Sequence, residues 1–548
     1  MAKSRSLVFK LCDEYFNKTL EYDAIASTYA NLTDQNIHWN DYSFHKVDPF
    51  IRIAKSYHKK ISEAKCIDSH DELAKKIILR DIQSYIDDAE DFYPYADFGS
   101  VYSEPQAIFE VFDVMPRKTR RDVLDIIKRM EKIPSAFAEW TTALNDVARL
   151  NVVNAKDRVR FLVEILDNYS SGSFQEFAKK IDATDKRLIK AARVADASCE
   201  QLSAWLEVKY MPMAKDSPAV GKERYVKNVK DYSGLDIDPL RLYQWGIDEL
   251  NRINVDMWQL SKQWGEFNSL TEVRDYLNNN PKYYIDGRDN FKSFLEGVTK
   301  QAVKELGGKV FTIPVAMKQC DVELDDDTID ESPYYKSPSD DMTRPGKTVY
   351  PTLGRTRFTT WENYSTWFHE SVPGHHMQIA YSILNKETLT RYQREHAWNS
   401  GYGEGWALYS ERLMDELGYF EDPGYKMGYL MCQAMRAARL VVDIGLHLEY
   451  TDPYDGDVWN FDNAVKFMEE FALLNHDYAV SEVKRYLSWA GQAITYKIGE
   501  KVWLDAREDA KKRLGDKFDL KKFHNYALKL GPMGLDLLQD ELAKWNGK

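Results

Sequence analysis

The chain has 548 residues, 44% of them hydrophobic and 29% charged, with a formal net charge of −13 at pH 7. That length supplies a large core and more than one domain, and the acidic balance excludes a nucleic-acid or anionic-membrane surface. The five cysteines, Cys12, Cys66, Cys199, Cys320 and Cys432, are scattered and form no CxxC pair. They exclude a disulfide framework or a cysteine-ligated zinc and fit a reducing compartment. The N-terminal run MAKSRSLVFKLCDEYF is too short in apolar residues for a signal segment, and Asp13 and Glu14 interrupt it. No stretch approaches about 18 apolar residues, so no transmembrane helix is expected. These features predict a cytoplasmic protein with neither a membrane nor a nucleic-acid partner.

In chain order, apolar residues at three- and four-residue spacing predict helices over Ser6 to Ala30, Asp48 to Ala64 and Asp71 to Tyr85. Asn36 to Tyr42 reads as a polar aromatic loop, and Asp91 to Gln106 as a connection rich in Tyr, Pro and Gly. Helices are expected again over Arg121 to Met130, Ser135 to Leu150 (with Pro134 in its first turn), Lys156 to Tyr169, Ser173 to Ile181 and Asp185 to Val208. A boundary falls in MPMAKDSPAVG (211–221). It separates an N-terminal helical lobe, 1–210, from a C-terminal lobe, 211–548, unless the two form one bilobed unit.

The second lobe opens with helices over Tyr225 to Tyr232, Pro239 to Phe267 and Phe291 to Leu306, the last ended by Gly307-Gly308. β-Branched residues without helical period predict short strands over Lys309 to Val322 and Thr348 to Thr360. Between them, Pro333-Tyr-Tyr335 and Arg344-Pro-Gly346 read as a loop, so a small β element occupies about 309–360. It is either an edge to which an extended peptide adds by backbone pairing or a hairpin covering the core. Downstream, helices are expected over Tyr402 to Leu417, Gly424 to Tyr450, Phe461 to Leu474, Tyr478 to Ala490 and Thr495 to Leu514, with one or two more in Leu520 to Leu542. The fold class is mostly α.

The chemistry sits in Trp367-Phe-His-Glu-Ser-Val-Pro-Gly-His-His-Met-Gln378. His369-Glu370 opens like the HExxH of zinc peptidases, where two His one turn apart bind the metal and the Glu is general base. Here Pro373 holds the second His position, and the next imidazoles are His375 and His376. On an undistorted helix His375 sits about 120° round from His369, and His376 lies about 10.5 Å along the axis. Neither geometry serves one ion at about 2 Å per bond. Proline and glycine at 373 and 374 offer a break that returns His375 to His369, with His376 as the alternative ligand.

The third ligand is sought on a second helix. Gly401-Tyr-Gly-Glu-Gly-Trp-Ala-Leu-Tyr-Ser-Glu411 offers Glu404 as ligand and, on the same face, Glu411 to orient a ligand imidazole. Gly403 and Gly405 are expected to let this helix approach the metal helix. Glu370 is the expected base for a metal-activated water. Tyr496 is the first candidate to stabilise an oxyanion, followed by His447 and Arg485, while Arg344 and Arg439 are candidates to clamp a substrate carboxylate.

HESVPGHHMQ (369–378), EGWALYSE (404–411) and GQAITYKIGE (491–500) resemble the domain-of-unknown-function family 885, whose hallmark is HExxPGHHxQ. RMEKIPSAF (129–137), YYKSPSDDMTRPG (334–346) and RAARLVVDIGLH (436–447) extend the similarity over most of the chain. That family is grouped with gluzincin-like metallopeptidases. The resemblance therefore implies a bilobed, mostly helical metallopeptidase similar to the oligopeptidase and angiotensin-converting-enzyme architecture, with a channel between two helical halves. It also implies one zinc on His369, His375 and Glu404 with Glu370 as base, and it prefers His375 over His376 because His375 directly follows Pro-Gly. Ala490 departs from the family's usual Pro before Gly-Gln, which affects only the loop ahead of Tyr496.

The leading expectation is a zinc-dependent hydrolase of amide bonds in short peptides. A metal-dependent amidohydrolase of a modified amino acid or small amide is the second, and a catalytically inactive peptide-binding protein the third. The joint presence of His369, Glu370 and Glu404 argues against the third. Zinc suits two His and a Glu, with manganese, cobalt or iron as alternative occupants.

Overall fold

The computed structural model describes residues 6–45, 49–101, 103–326 and 332–548. The chain divides into two compact units, Met1–Ala219 with Leu487–Trp489, and Val220–Tyr486 with Ala490–Lys548.

The first unit is helical. The Ser6 hydroxyl accepts from the Phe9 amide and starts helix Leu7–Tyr22. Asp23 then ends that helix and caps Ala24–Tyr29, so the one helix expected over Ser6 to Ala30 is two. Ile51–Glu63 and Ser69–Glu90 follow, and the expected start at Asp48 lies outside the described residues. Glu104–Val114 is a helix where a connection was expected; Ser103 and Gln106 cap each other reciprocally. Helix Lys186–Trp205 packs on Arg120–Glu131 and Lys156–Ser170. The core here gathers Phe109, Met130, Trp140, Leu162 and Leu202, each stabilising the fold by roughly 1.5–3 kcal/mol through burial.

The second unit is organised round helix Pro423–Leu448, in which every residue from Met427 to His447 is buried. A helix apolar on all sides takes such a central place, and this one carries Arg436, Arg439 and Asp443 inside with it. Pro239–Ser261 and Phe461–Ala472 pack along it. Helix Ser400–Glu416 pairs closely with Thr495–Leu514. A Cβ on Gly405 would lie 2.5 Å from the Gly499 Cα, so only two glycines permit this approach. Gly403 instead backs onto the Trp398 ring. The two glycines flanking Glu404 thus do not meet the motif helices directly as expected: Gly405 meets Gly499, and Gly403 the Trp398 ring, which lies 6.3 Å from that of His375.

The β content is small. Strand β1 (Tyr284–Asp286) pairs antiparallel with β5 (Arg357–Thr359). Strands β2 (Cys320–Asp325), β3 (Tyr334–Lys336) and β4 (Gly346–Pro351) form a sheet in the order β2-β4-β3, parallel between β2 and β4 and antiparallel between β3 and β4. Most of the strand expected from Lys309 is loop and turn, while Tyr334–Lys336, expected as loop, is an edge strand. Pairing with β4 decides such short segments, not local period. Helix Leu270–Asn279, capped by Ser269, was not anticipated either. None of the cysteines is in a disulfide, and no helix among the described residues is long and apolar enough to cross a membrane.

Candidate metal centre

The motif occupies two helices. Asn363–Glu370 ends at Ser371, and His375–Leu384 starts after Gly374. Between them the chain turns through a cis Val372–Pro373 bond, and the Gly374 amide donates to the Phe368 carbonyl at 3.0 Å. A Cβ at position 374 would lie 1.9 Å from the His369 carbonyl oxygen, so the turn requires glycine. Trp406 holds the turn from outside: its indole N–H donates to the Pro373 carbonyl at 2.9 Å and reaches the Gly374 carbonyl at 3.3 Å. This break brings the rings of His369 and His375 to 4.9 Å, nearly perpendicular.

Glu404 closes the group. Its Oε2 lies 3.2 Å from His369 Nε2 and 3.3 Å from His375 Nε2. One ligand atom from each of the three lies within 4.8 Å of the others; both histidines are buried and Glu404 is partly so. Glu411 Oε1 stands 2.9 Å from His369 Nδ1, while its Oε2 accepts from the Ser365 hydroxyl at 2.6 Å. The carboxylate of Glu411 thereby takes the Nδ1 hydrogen of His369. In the tautomer that this contact selects, Nε2 presents a lone pair to the Glu404 carboxylate. Two acceptors face each other, and a cation between them relieves the repulsion, so the donor set fits a divalent metal.

Burial pushes Glu404 up, but the imidazoles of His375 and His369 more than offset this and hold it well below the usual carboxylate range. Burial also raises Glu411, which Arg436 and His369 outweigh. Glu370 is different: burial pushes its carboxyl up to about 8, with Glu404 and Glu411 adding to the shift and His375 and Arg436 opposing it. Glu370 therefore has a raised proton affinity.

His376 turns away from this group. Its Nδ1 meets the Tyr335 hydroxyl at 2.9 Å and its Nε2 meets the Met317 carbonyl at 2.9 Å. Tyr496 is close, its ring stacked 6.0 Å from that of His369, and Arg485 donates to its hydroxyl at 2.9 Å. Three other candidate residues are placed as follows. Arg439 is buried and paired with Glu482 at 2.5 Å, so it is not free to clamp a ligand alone. His447 lies apart, fully buried with Nε2 on the Tyr486 carbonyl, because its helix turns that face into the core. Arg344 is exposed and holds its own loop through the Ser337 carbonyl. Sequence reasoning passed over Arg436, Ser365 and Trp406. Arg436 had a readable signal, since it sits one turn before Arg439 in the same motif.

A cavity of about 260 Å³ in this unit is lined by Arg274, Arg355, Arg357, Glu362, Met431 and Tyr478 among others. None of His369, Glu370, His375 or Glu404 lines it, so it is not the place where the candidate ligands converge.

Two solved structures share the fold. One is a "putative lipoprotein" from Colwellia psychrerythraea, 24% identical, with a TM-score of 0.86 and 98% of each chain covered. The other is a "putative lipoprotein of unknown function" from Shewanella oneidensis, 17% identical, with a TM-score of 0.74 and coverage of 98% of this chain and 99% of that one. No curated protein matches the chain. The model of the family described as "Bacterial protein of unknown function (DUF885)" matches residues 25–542, nearly the whole length. The chain is a member of the DUF885 family.

Proposed function

We propose that the protein is a zinc-dependent hydrolase of peptide bonds in short peptides. The observation that carries this reading is the convergence of His369, His375 and Glu404 with Glu370 directly following the first of them. The finer fold assignment, the helical architecture of oligopeptidases and angiotensin-converting enzyme, belongs to the same reading. So does a cytoplasmic location, which the unpaired cysteines favour; the relatives' lipoprotein names argue the other way, and cell fractionation decides between the two.

When bound, a divalent ion in this donor set supplies Lewis acidity and activates a water at neutral pH. Glu370 accepts that water's proton and passes it to the leaving amine, a role suited to a carboxyl whose proton affinity burial has raised. Tyr496, whose hydroxyl Arg485 already contacts, donates to the carbonyl oxygen as negative charge develops on it. Glu411 keeps His369 in the tautomer that presents Nε2.

The test is hydrolysis of a mixed peptide library by zinc-loaded protein, with and without chelator, beside Glu370→Gln. The reading expects chelator-sensitive cleavage and a loss of about 100-fold or more in Glu370→Gln with zinc retained. Equal cleavage by Glu370→Gln removes the assigned base. Turnover of small acylated amines with no peptide cleavage favours the amidohydrolase reading instead.

A further inference from the structure

Beside the metal group, three arginines crowd round Tyr496. The Arg439 guanidinium lies 4.4 Å from the ring centroid, and those of Arg436 and Arg485 lie 5.9 Å from it. Two of the three are well matched. Arg439 pairs with Glu482 at 2.5 Å, and Arg485 donates to Tyr496 and Gln492, both at 2.9 Å. Arg436 is not. Its side chain is 7% exposed, yet its nearest carboxylate oxygen is that of Glu411 at 3.7 Å, beyond hydrogen-bond reach. Its other contacts are long ones within its own helix, to the Cys432 carbonyl at 3.4 Å and Met435 Sδ at 3.6 Å, and its Nε, like that of Arg439, has no hydrogen-bond partner.

A buried guanidinium held this loosely is costly unless an anion completes it. The other carboxyls nearby are occupied. Glu411 serves His369 and Ser365, Glu482 serves Arg439 and Tyr486, and Asp443 accepts from Tyr225 and the Gly491 amide. The cluster is not sealed: the Arg485 side chain is 21% exposed and that of Glu404 is 14% exposed.

We propose that Arg436, with Arg485 beside it, receives the C-terminal carboxylate of the substrate, so that the enzyme removes residues from free peptide C termini. The proposal rests on the hydrolase reading above and names its substrate class. A planar carboxylate matches the guanidinium fork, and Glu411 places Arg436 one side chain from His369. In the reaction, water's oxygen bonds to the carbonyl carbon and the C–N bond breaks. The proton taken by Glu370 leaves with the amine of the released C-terminal fragment.

The experiment compares one tripeptide library with free C termini against the same library amidated, read by mass spectrometry on zinc-loaded protein. The expected result is kcat/KM about 10–100-fold higher for the free acids, with that ratio falling towards one in Arg436→Gln and recovering partly in Arg436→Lys. Equal turnover of acid and amide by the wild type overturns the proposal while leaving the hydrolase reading intact. An unchanged ratio in Arg436→Gln also overturns it, because loss of a merely structural arginine lowers both rates together. If neither library is cleaved, the hydrolase reading fails, and binding decides the anion site on its own. Mixed N-acetyl amino acids that raise the melting temperature when their amides do not, in wild type but not Arg436→Gln, keep the site; no difference removes it.

Discussion

Glu411 Oε1 lies 2.9 Å from His369 Nδ1, and that contact decides which nitrogen of the ring faces Glu404. Glu411 is fully buried and sits on the same helix face as Glu404, two turns on. Replacing it by Gln removes the negative charge that favours the Nδ1–H tautomer and strengthens Nε2 as a donor. Glu411→Gln is expected to weaken zinc affinity about 10–100-fold, read by competition with a chromogenic chelator. Ser365→Ala, which removes only the hydrogen bond on the far oxygen, is expected to have a smaller effect in the same assay.

The two adjacent histidines are separable. His375→Ala removes a member of the donor set and is expected to abolish stoichiometric zinc by elemental analysis, as are His369→Ala and Glu404→Ala. His376→Ala breaks contacts to Tyr335 and Met317 and is expected to keep the metal while lowering the melting temperature. Zinc lost from His376→Ala and kept by His375→Ala would reverse the ligand assignment.

The turn at 373–374 predicts a backbone effect. Alanine at 374 drives a methyl group to within 1.9 Å of the His369 carbonyl oxygen and 2.4 Å of that of Phe368. Neither is a flexible side-chain end, so the helix end itself must move. Gly374→Ala is expected to destabilise the fold by roughly 1–3 kcal/mol and to lose zinc along with it. Thermal unfolding and metal content, measured on one preparation, check both.

A pH dependence comes from outside the metal group. His524 is fully buried, accepting from the Tyr409 hydroxyl at 2.7 Å and facing the Val310 carbonyl at 3.3 Å. Burial pushes its pKa down from 6.5 to about 3, with Arg507 adding to the shift and the Val310 hydrogen bond opposing it. Between these values the unfolded chain holds a proton that the folded chain refuses. The stabilisation is therefore full above about pH 6.5 and is lost as pH falls towards 3, at about 1.4 kcal/mol per pH unit. His524→Gln is expected to be less stable at pH 7 but to lose less between pH 7 and pH 5. Urea midpoints at the two pH values check this, and parallel losses in both proteins would exclude His524 as the source.

Much of the helical scaffold was legible because its period is local. The stretches with clear three- and four-residue spacing fold as helices near their expected limits, including the core helix Pro423–Leu448. Glu104–Val114 was missed although Ser103 and Gln106 spelled out a capping box, because Pro105 and the aromatic run before it read as loop. The strand Tyr334–Lys336 had no period to read; it exists through its partners on β4. Spacing plus one assumed break brings His369 and Glu404 together with either His375 or His376, and only the family resemblance prefers His375; the break itself is local to Pro373 and Gly374. The surroundings were harder. His376 is claimed by Tyr335 and Met317, and Arg439 by Glu482, partners tens of residues away that no spacing rule brings together.

The indole of Trp406 grips both carbonyls of the 373–374 turn from the same helix that carries Glu404. The three prospective ligands are thus tied into one mechanical piece before any ion arrives. On the proposed reading, loading and stripping a metal would be events of occupancy rather than of folding. Amide hydrogen exchange across 369–378 should be nearly the same in chelated and zinc-loaded protein, so the apoprotein is a template ready to be refilled.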